Sequence, residues 1–67
     1  MPQDSHVRAA EFHELAAHAH RAAAVSHGKG DHFSAHELSR QALEHSAKAL
    51  EFAQDAFRKS EASLPKK

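Results

Sequence analysis

The sequence predicts an all-α fold: an antiparallel helical hairpin, with helices over about 5–27 and 32–62, that dimerises into a four-helix bundle. Three observations carry this. The stretch from Ala35 to Ala62 reads as one seven-residue unit repeated four times, AHELSRQ, ALEHSAK, ALEFAQD and AFRKSEA. The only two glycines stand together in Gly28-Lys29-Gly30-Asp31 and split the chain into two Gly-free arms. Finally, 15 of the hydrophobic residues are Ala and only 12 are larger, too few for a core of this chain's own. At 67 residues the whole of 1–67 reads as a single domain.

The first helix follows a short lead-in in which Asp4 or Ser5 suits the N-cap position, since either side chain can accept from an orphan amide. Its interior is Ala-rich and free of Gly and Pro, which favours helix by propensity. It too has a period of seven. His6, His13, His20 and His27 form a column lying between Ala9, Ala16, Ala23 on one side and Ala10, Ala17, Ala24 on the other, with Phe12, Ala19 and Ser26 widening the face. A column flanked by alanines is expected to point into an interface, its imidazoles donating to Ser39 and Ser46 across the seam. Burial disfavours imidazolium, so that placement also predicts a loss of stability on acidification.

In the connection, Gly28 suits the left-handed position that ends a helix and Asp31 the N-cap of the next. Ser34-Ala35-His36-Glu37 spells a capping box, an alternative start at 34. A connection this short joins antiparallel neighbours. In the second helix the columns Ala35/Ala42/Ala49/Ala56, His36/Leu43/Leu50/Phe57, Leu38/His45/Phe52 and Ser39/Ser46/Ala53/Ser60 together form one broad face. Folding back about the loop sets level those residues whose numbers add to about 59. The second helix then extends about 12 Å beyond the first at the usual rise, leaving Phe57 overhanging and Leu64-Pro65-Lys66-Lys67 as a frayed tail.

Composition narrows the function classes. Basic and acidic residues are 9 each and interspersed, so no basic stripe marks a nucleic-acid or lipid surface. The start MPQDSHV lacks the pattern of a signal peptide and no apolar run approaches the roughly 20 residues of a membrane span. A cytoplasmic protein whose partner is itself, with neither nucleic acid nor membrane as partner, is the expectation. There is no Cys, hence no disulfide or thiolate site.

The run from Ala9 to Ser60 resembles a group of small His- and Ala-rich proteins of proteobacteria, whose second half repeats an Ala-His-Glu-His-Ser unit after a Gly-x-Gly-Asp-His turn. The matching residues are Gly28, Gly30, Asp31 and His32, then Ala35-His36-Glu37-Leu38-Ser39 and Ala42-Leu43-Glu44-His45-Ser46. The resemblance implies a helical hairpin and no particular activity. Leu38, Leu43, Leu50 and Phe52 stand where such repeats often carry His.

Eight histidines make metal binding the first chemical candidate, since neutral imidazole suits Zn, Cu and Ni. Histidines seven apart are about 10 Å apart along a helix and cannot share an ion. The usable pairs are spaced by four, His32 with His36 and Glu14 with His18, and His45 falls level with Glu14 across the hairpin. His32, His36, Glu14, His18 and His45 are therefore the candidate ligands of a buffer or sensor, although Glu14 and His18 project toward solvent. Against them stands the reading of these residues as polar spacers, with no cofactor at all. Enzyme chemistry is not expected, because two thin Ala-rich helices leave little room for a water-excluding pocket. The column Glu37, Glu44, Glu51 reads as a solvated flank pairing with Arg40 and Lys48.

Overall fold

In the computed structural model, which describes residues 2–64, helix α1 spans Pro2–Gly28 and helix α2 spans His32–Ala62. The two arms fold back on each other as an antiparallel hairpin, and no strand occurs among the described residues. Helix α1 begins three residues earlier than the capping signals suggest. Pro2 is well placed in a first turn, where its missing N–H would have no intrahelical acceptor. Asp4 thus lies inside the first turn, favourable for the helix dipole, and Ser5 is turned inward rather than acting as a cap. Of the expected frayed tail, Pro65, Lys66 and Lys67 lie outside the described residues.

At the turn, Asp31 N–H donates to the Ser26 carbonyl at 2.9 Å and Gly30 N–H to the His27 carbonyl at 3.0 Å, the paired bonds that close a helix C-terminus over a left-handed residue. That residue is Gly30, at φ 78°, while Gly28 remains helical. The left-handed position therefore falls two residues later than the sequence reading placed it. Asp31 caps α2 as expected, its carboxylate accepting from Ser34 N–H at 3.1 Å. Ser34, through its side chain first and this backbone N–H second, lowers the carboxyl below its ordinary 3.8. Helix α2 starts at His32 and not at the alternative start, 34.

The seam between the helices is made of alanine. Ala35, Ala42, Ala49 and Ala56 have no exposed surface, and Ala9, Ala16, Ala19 and Ala23 oppose them, while among the described residues no larger side chain is fully buried. Small residues at every contact level let the backbones approach closely. Around this line Phe12 stacks on Phe52 with ring centroids 5.7 Å apart and meets the ring of His45 at 6.2 Å. At the open end of the hairpin the buried Ser5 donates to Asp55 at 2.5 Å, and Lys59 bridges to Asp55 at 3.0 Å. These pairs agree with the level rule read from the sequence.

Two expectations fail. His6, His13, His20 and His27 are all exposed, so they do not lie in the seam of the hairpin. The buried face of α1 runs through Ser5, Ala9, Phe12, Ala16, Ala19, Ala23 and Ser26. It is turned about 80° from the histidine column at ~100° per residue, because Phe12 finds its apolar partner on that flank. Phe57 does not overhang either: its neighbour Ala56 is wholly covered, and Phe57 is 67% exposed because its column faces away from α1.

Candidate functional site

The broad face of α2 is wider than one helix can cover, and α1 takes only half of it. Leu38, His45 and Phe52 on one flank are half-buried, whereas Leu43, Leu50, Phe57 and Leu64 on the other are 57–70% exposed. Leu43, Leu50 and Phe57 repeat every seven residues along α2 and so form one stripe, spanning about 21 Å at 1.5 Å per residue, while Leu64 lies past the helix end at Ala62.

Helix handedness decides what lies beside the stripe. In two antiparallel right-handed helices, the position that follows an inward residue on each helix falls on the same side of the pair. His6, His13, His20 and His27 follow Ser5, Phe12, Ala19 and Ser26; Ser39, Ser46 and Ala53 follow Leu38, His45 and Phe52. Both columns therefore share one side of the hairpin, flanked by Ala10, Ala17 and Ala24 on α1 and by the leucine stripe on α2. Among the described residues none of the chain's Lys, Arg, Asp or Glu occupies these four columns.

The opposite side is ionic. Arg40 sits between Glu37 and Glu44 and bonds both, Lys48 pairs with Glu51 at 3.5 Å, and Arg8 with Glu11 at 3.9 Å. The expected solvated flank of Glu37, Glu44 and Glu51 is present. The Arg40 guanidinium lowers the Glu37 carboxyl, and Glu37 in turn raises Arg40. These are exposed pairs one helical turn apart, largely screened by solvent.

The residues predicted to ligate metal are not gathered. Among the described residues no three His, Asp or Glu side chains stand close enough to hold an ion. Glu14 and His18 are exposed on α1, while His45 turns into the seam against Phe12, so level positions do not become a shared site. His32 and His36 are exposed in the first turns of α2. The nearest imidazole pair is one the spacing argument passed over: the rings of His27 and His32 are 5.8 Å apart across the turn. A search for helical spacings of four cannot find a pair that the loop itself brings together.

The polar cluster Ser5, Asp55 and Lys59 is likewise absent from the sequence reading. Its hydrogen bonds from Ser5 and Lys59 hold the Asp55 carboxyl below its ordinary value. The signal was available in the level rule, since 5 and 55 add to about the same total as the other pairs. Two surface depressions, one lined by Ala53, Gln54, Phe57 and Arg58 and the other by Phe12, Glu44, His45, Ala47, Lys48 and Glu51, are both open to solvent. No helix among the described residues is long and apolar enough to cross a membrane.

Comparison with known proteins finds no matching family model, no similar curated protein and no similar solved structure.

Proposed function

We propose that this chain is a non-enzymatic, self-associating helical module whose working unit is a homodimer, a four-helix bundle with a structural or interaction role in the cytoplasm. The observation that supports this reading is surface. The hairpin exposes 5251 Å² at a mass of 7.4 kDa, whereas a compact monomer of that mass exposes about 4,200 Å². Its radius of gyration is 15.9 Å, against about 11 Å for a globular chain of this length. The excess of about 1,000 Å² is close to the roughly 800 Å² that each partner contributes to a specific interface. Burying Leu43, Leu50 and Phe57 supplies the large apolar side chains that the alanine seam lacks, at about 1.5–3 kcal/mol each. Sedimentation of untagged protein at micromolar concentration is expected to give a dimer. A folded monomer there rejects the reading.

A second reading, a histidine-mediated binder of Zn, Cu or Ni acting as buffer or sensor, has one observation in its favour. The His27 and His32 rings lie 5.8 Å apart, and His36 follows His32 by one turn. Two or three imidazoles at the hairpin tip offer borderline-soft ligands to an ion completed by water or by a second chain. Calorimetric titration with Zn and Cu tests it. Saturable binding lost in His27→Ala/His32→Ala supports it, and millimolar, non-saturating heat unchanged in that variant and in His32→Ala/His36→Ala rejects it.

A further inference from the structure

We infer that the second copy docks on the uncharged side of the hairpin, α2 of one copy lying on α1 of the other, and that acidification opens this interface through His6, His13 and His20. The inference rests on the self-association proposed above and specifies its face, its geometry and its control.

The face is self-complementary in shape. On its α2 side it carries a ridge, Leu43, Leu50 and Phe57; on its α1 side it carries a trough, Ala10, Ala17 and Ala24. A surface that bears both halves of a fit is suited to a two-fold, isologous contact. A two-fold axis parallel to the helices preserves the levels of the single hairpin, in which Ser5 meets Asp55. Leu50 is then level with Ala10 of the second copy and Leu43 with Ala17. Every adjacent pair of helices in the resulting bundle is antiparallel. Among the described residues no other side offers this: Val7, Leu15, Val25 and Phe33 are exposed singly, and the Glu37, Glu44, Glu51 flank already pairs with its own Arg40 and Lys48.

The histidines lie between ridge and trough. His is the side chain whose ordinary charge change falls between pH 5 and 8. Facing His6, His13 and His20 from α2 are Ser39, Ser46 and Ala53, none of which titrates, and the turns above and below them on α1 are alanine apart from Pro2 and Gln3. The second copy presents the same columns and so the same imidazoles, with no carboxylate. His27 is four residues from Asp31 and beside the His32 ring, and His36 adjoins Glu37, so these two have charged or titratable neighbours that His6, His13 and His20 lack across the seam. An imidazolium enclosed in this contact would have no counter-charge and no water, so protonation works against the dimer.

The test is sedimentation of the full chain at pH 7.5 and 5.0, with Leu50→Glu on the face and Leu15→Glu off it. Leu50 is 57% exposed in the hairpin, so Leu50→Glu leaves the alanine seam intact, and helicity by circular dichroism checks this. The expected outcome is a wild-type dimer at pH 7.5, weakened about 100-fold or more by Leu50→Glu and little by Leu15→Glu. The same dimer is weakened at least about 10-fold at pH 5.0 in wild type and much less in His13→Gln/His20→Gln. Because the chain has no Cys, mixing Ala10→Cys protein with Leu50→Cys protein gives an independent readout, a mixed disulfide dimer on mild oxidation. A dimer that survives Leu50→Glu but not Leu15→Glu overturns the face while leaving self-association standing. A dimer indifferent to pH overturns the histidine control, and Leu50→Cys homodimers without the mixed species overturn the ridge-in-trough arrangement. A wild-type monomer under all conditions removes the proposed function itself.

Discussion

Gly28 and Gly30 stand two residues apart and meet opposite requirements. Gly28 is helical with open space where a Cβ would project, so Ala there removes backbone entropy from the unfolded chain at no steric cost. Gly30 also has open space, but its φ of 78° strains any residue with a Cβ. Thermal melts should show Gly28→Ala stabilised by about 0.5–1 kcal/mol and Gly30→Ala destabilised by about 1–2 kcal/mol. If both shift in the same direction, the turn closes over another residue. Asp55 supplies a second test at this scale. Its folded carboxyl is lowered from 3.8 by Ser5 and Lys59, so its contribution is present above that value and is lost as the pH falls through the lower, folded one. Asp55→Asn should therefore melt below wild type at pH 7, and the two curves should converge in strong acid. A gap that persists there would show that the side chain's shape matters more than its charge.

At the scale of the element, the heptad repeat of α2 was fully legible, because alanine recurs at 35, 42, 49 and 56 with no interruption. Which flank of that alanine line α1 would cover was not. Both flanks carry large apolar residues, Leu38/His45/Phe52 and Leu43/Leu50/Phe57, and one strand of sequence cannot say where the other helix's single Phe will go. Phe12 decides it by stacking on Phe52, and the choice turns the histidine column out of the seam. The turn was legible as a turn from Gly-Lys-Gly-Asp, and the Asp31 cap from its residue type. The register of the closing glycine depends on which carbonyls the last turn leaves free, which residue identity alone does not specify. As for the candidate site, the composition pointed to a second chain, whereas the metal ligands chosen by spacing were scattered by the helix faces they occupy. The closeness of the alanine seam has its own test. Ala49→Leu forces a branched side chain into fully covered space and should cost about 1–3 kcal/mol in urea denaturation. Ala47→Leu, exposed on the outer face of the same helix, should be near neutral. Equal effects would mean that the helices sit further apart than the seam implies.

At the scale of the whole molecule, charge is segregated by side, although the formal net charge is zero. The ion pairs of Arg40, Lys48 and Arg8 lie on the side away from the leucine stripe, so salt acts where the proposed interface is not. Exposed pairs are screened within about 10 Å at 0.1 M salt, so screening them changes each hairpin little. An interface of Leu, Phe, Ala, Ser and His contains no ion pair for salt to screen. Raising sodium chloride from about 0.05 M to about 0.5 M at pH 7.5 should therefore leave the dimer constant within about twofold, while the melting temperature still rises with protein concentration by mass action. A dimer that dissociates in salt at pH 7.5 would instead be held by ion pairs, and the contact would have to lie on the Glu37, Glu44, Glu51 side.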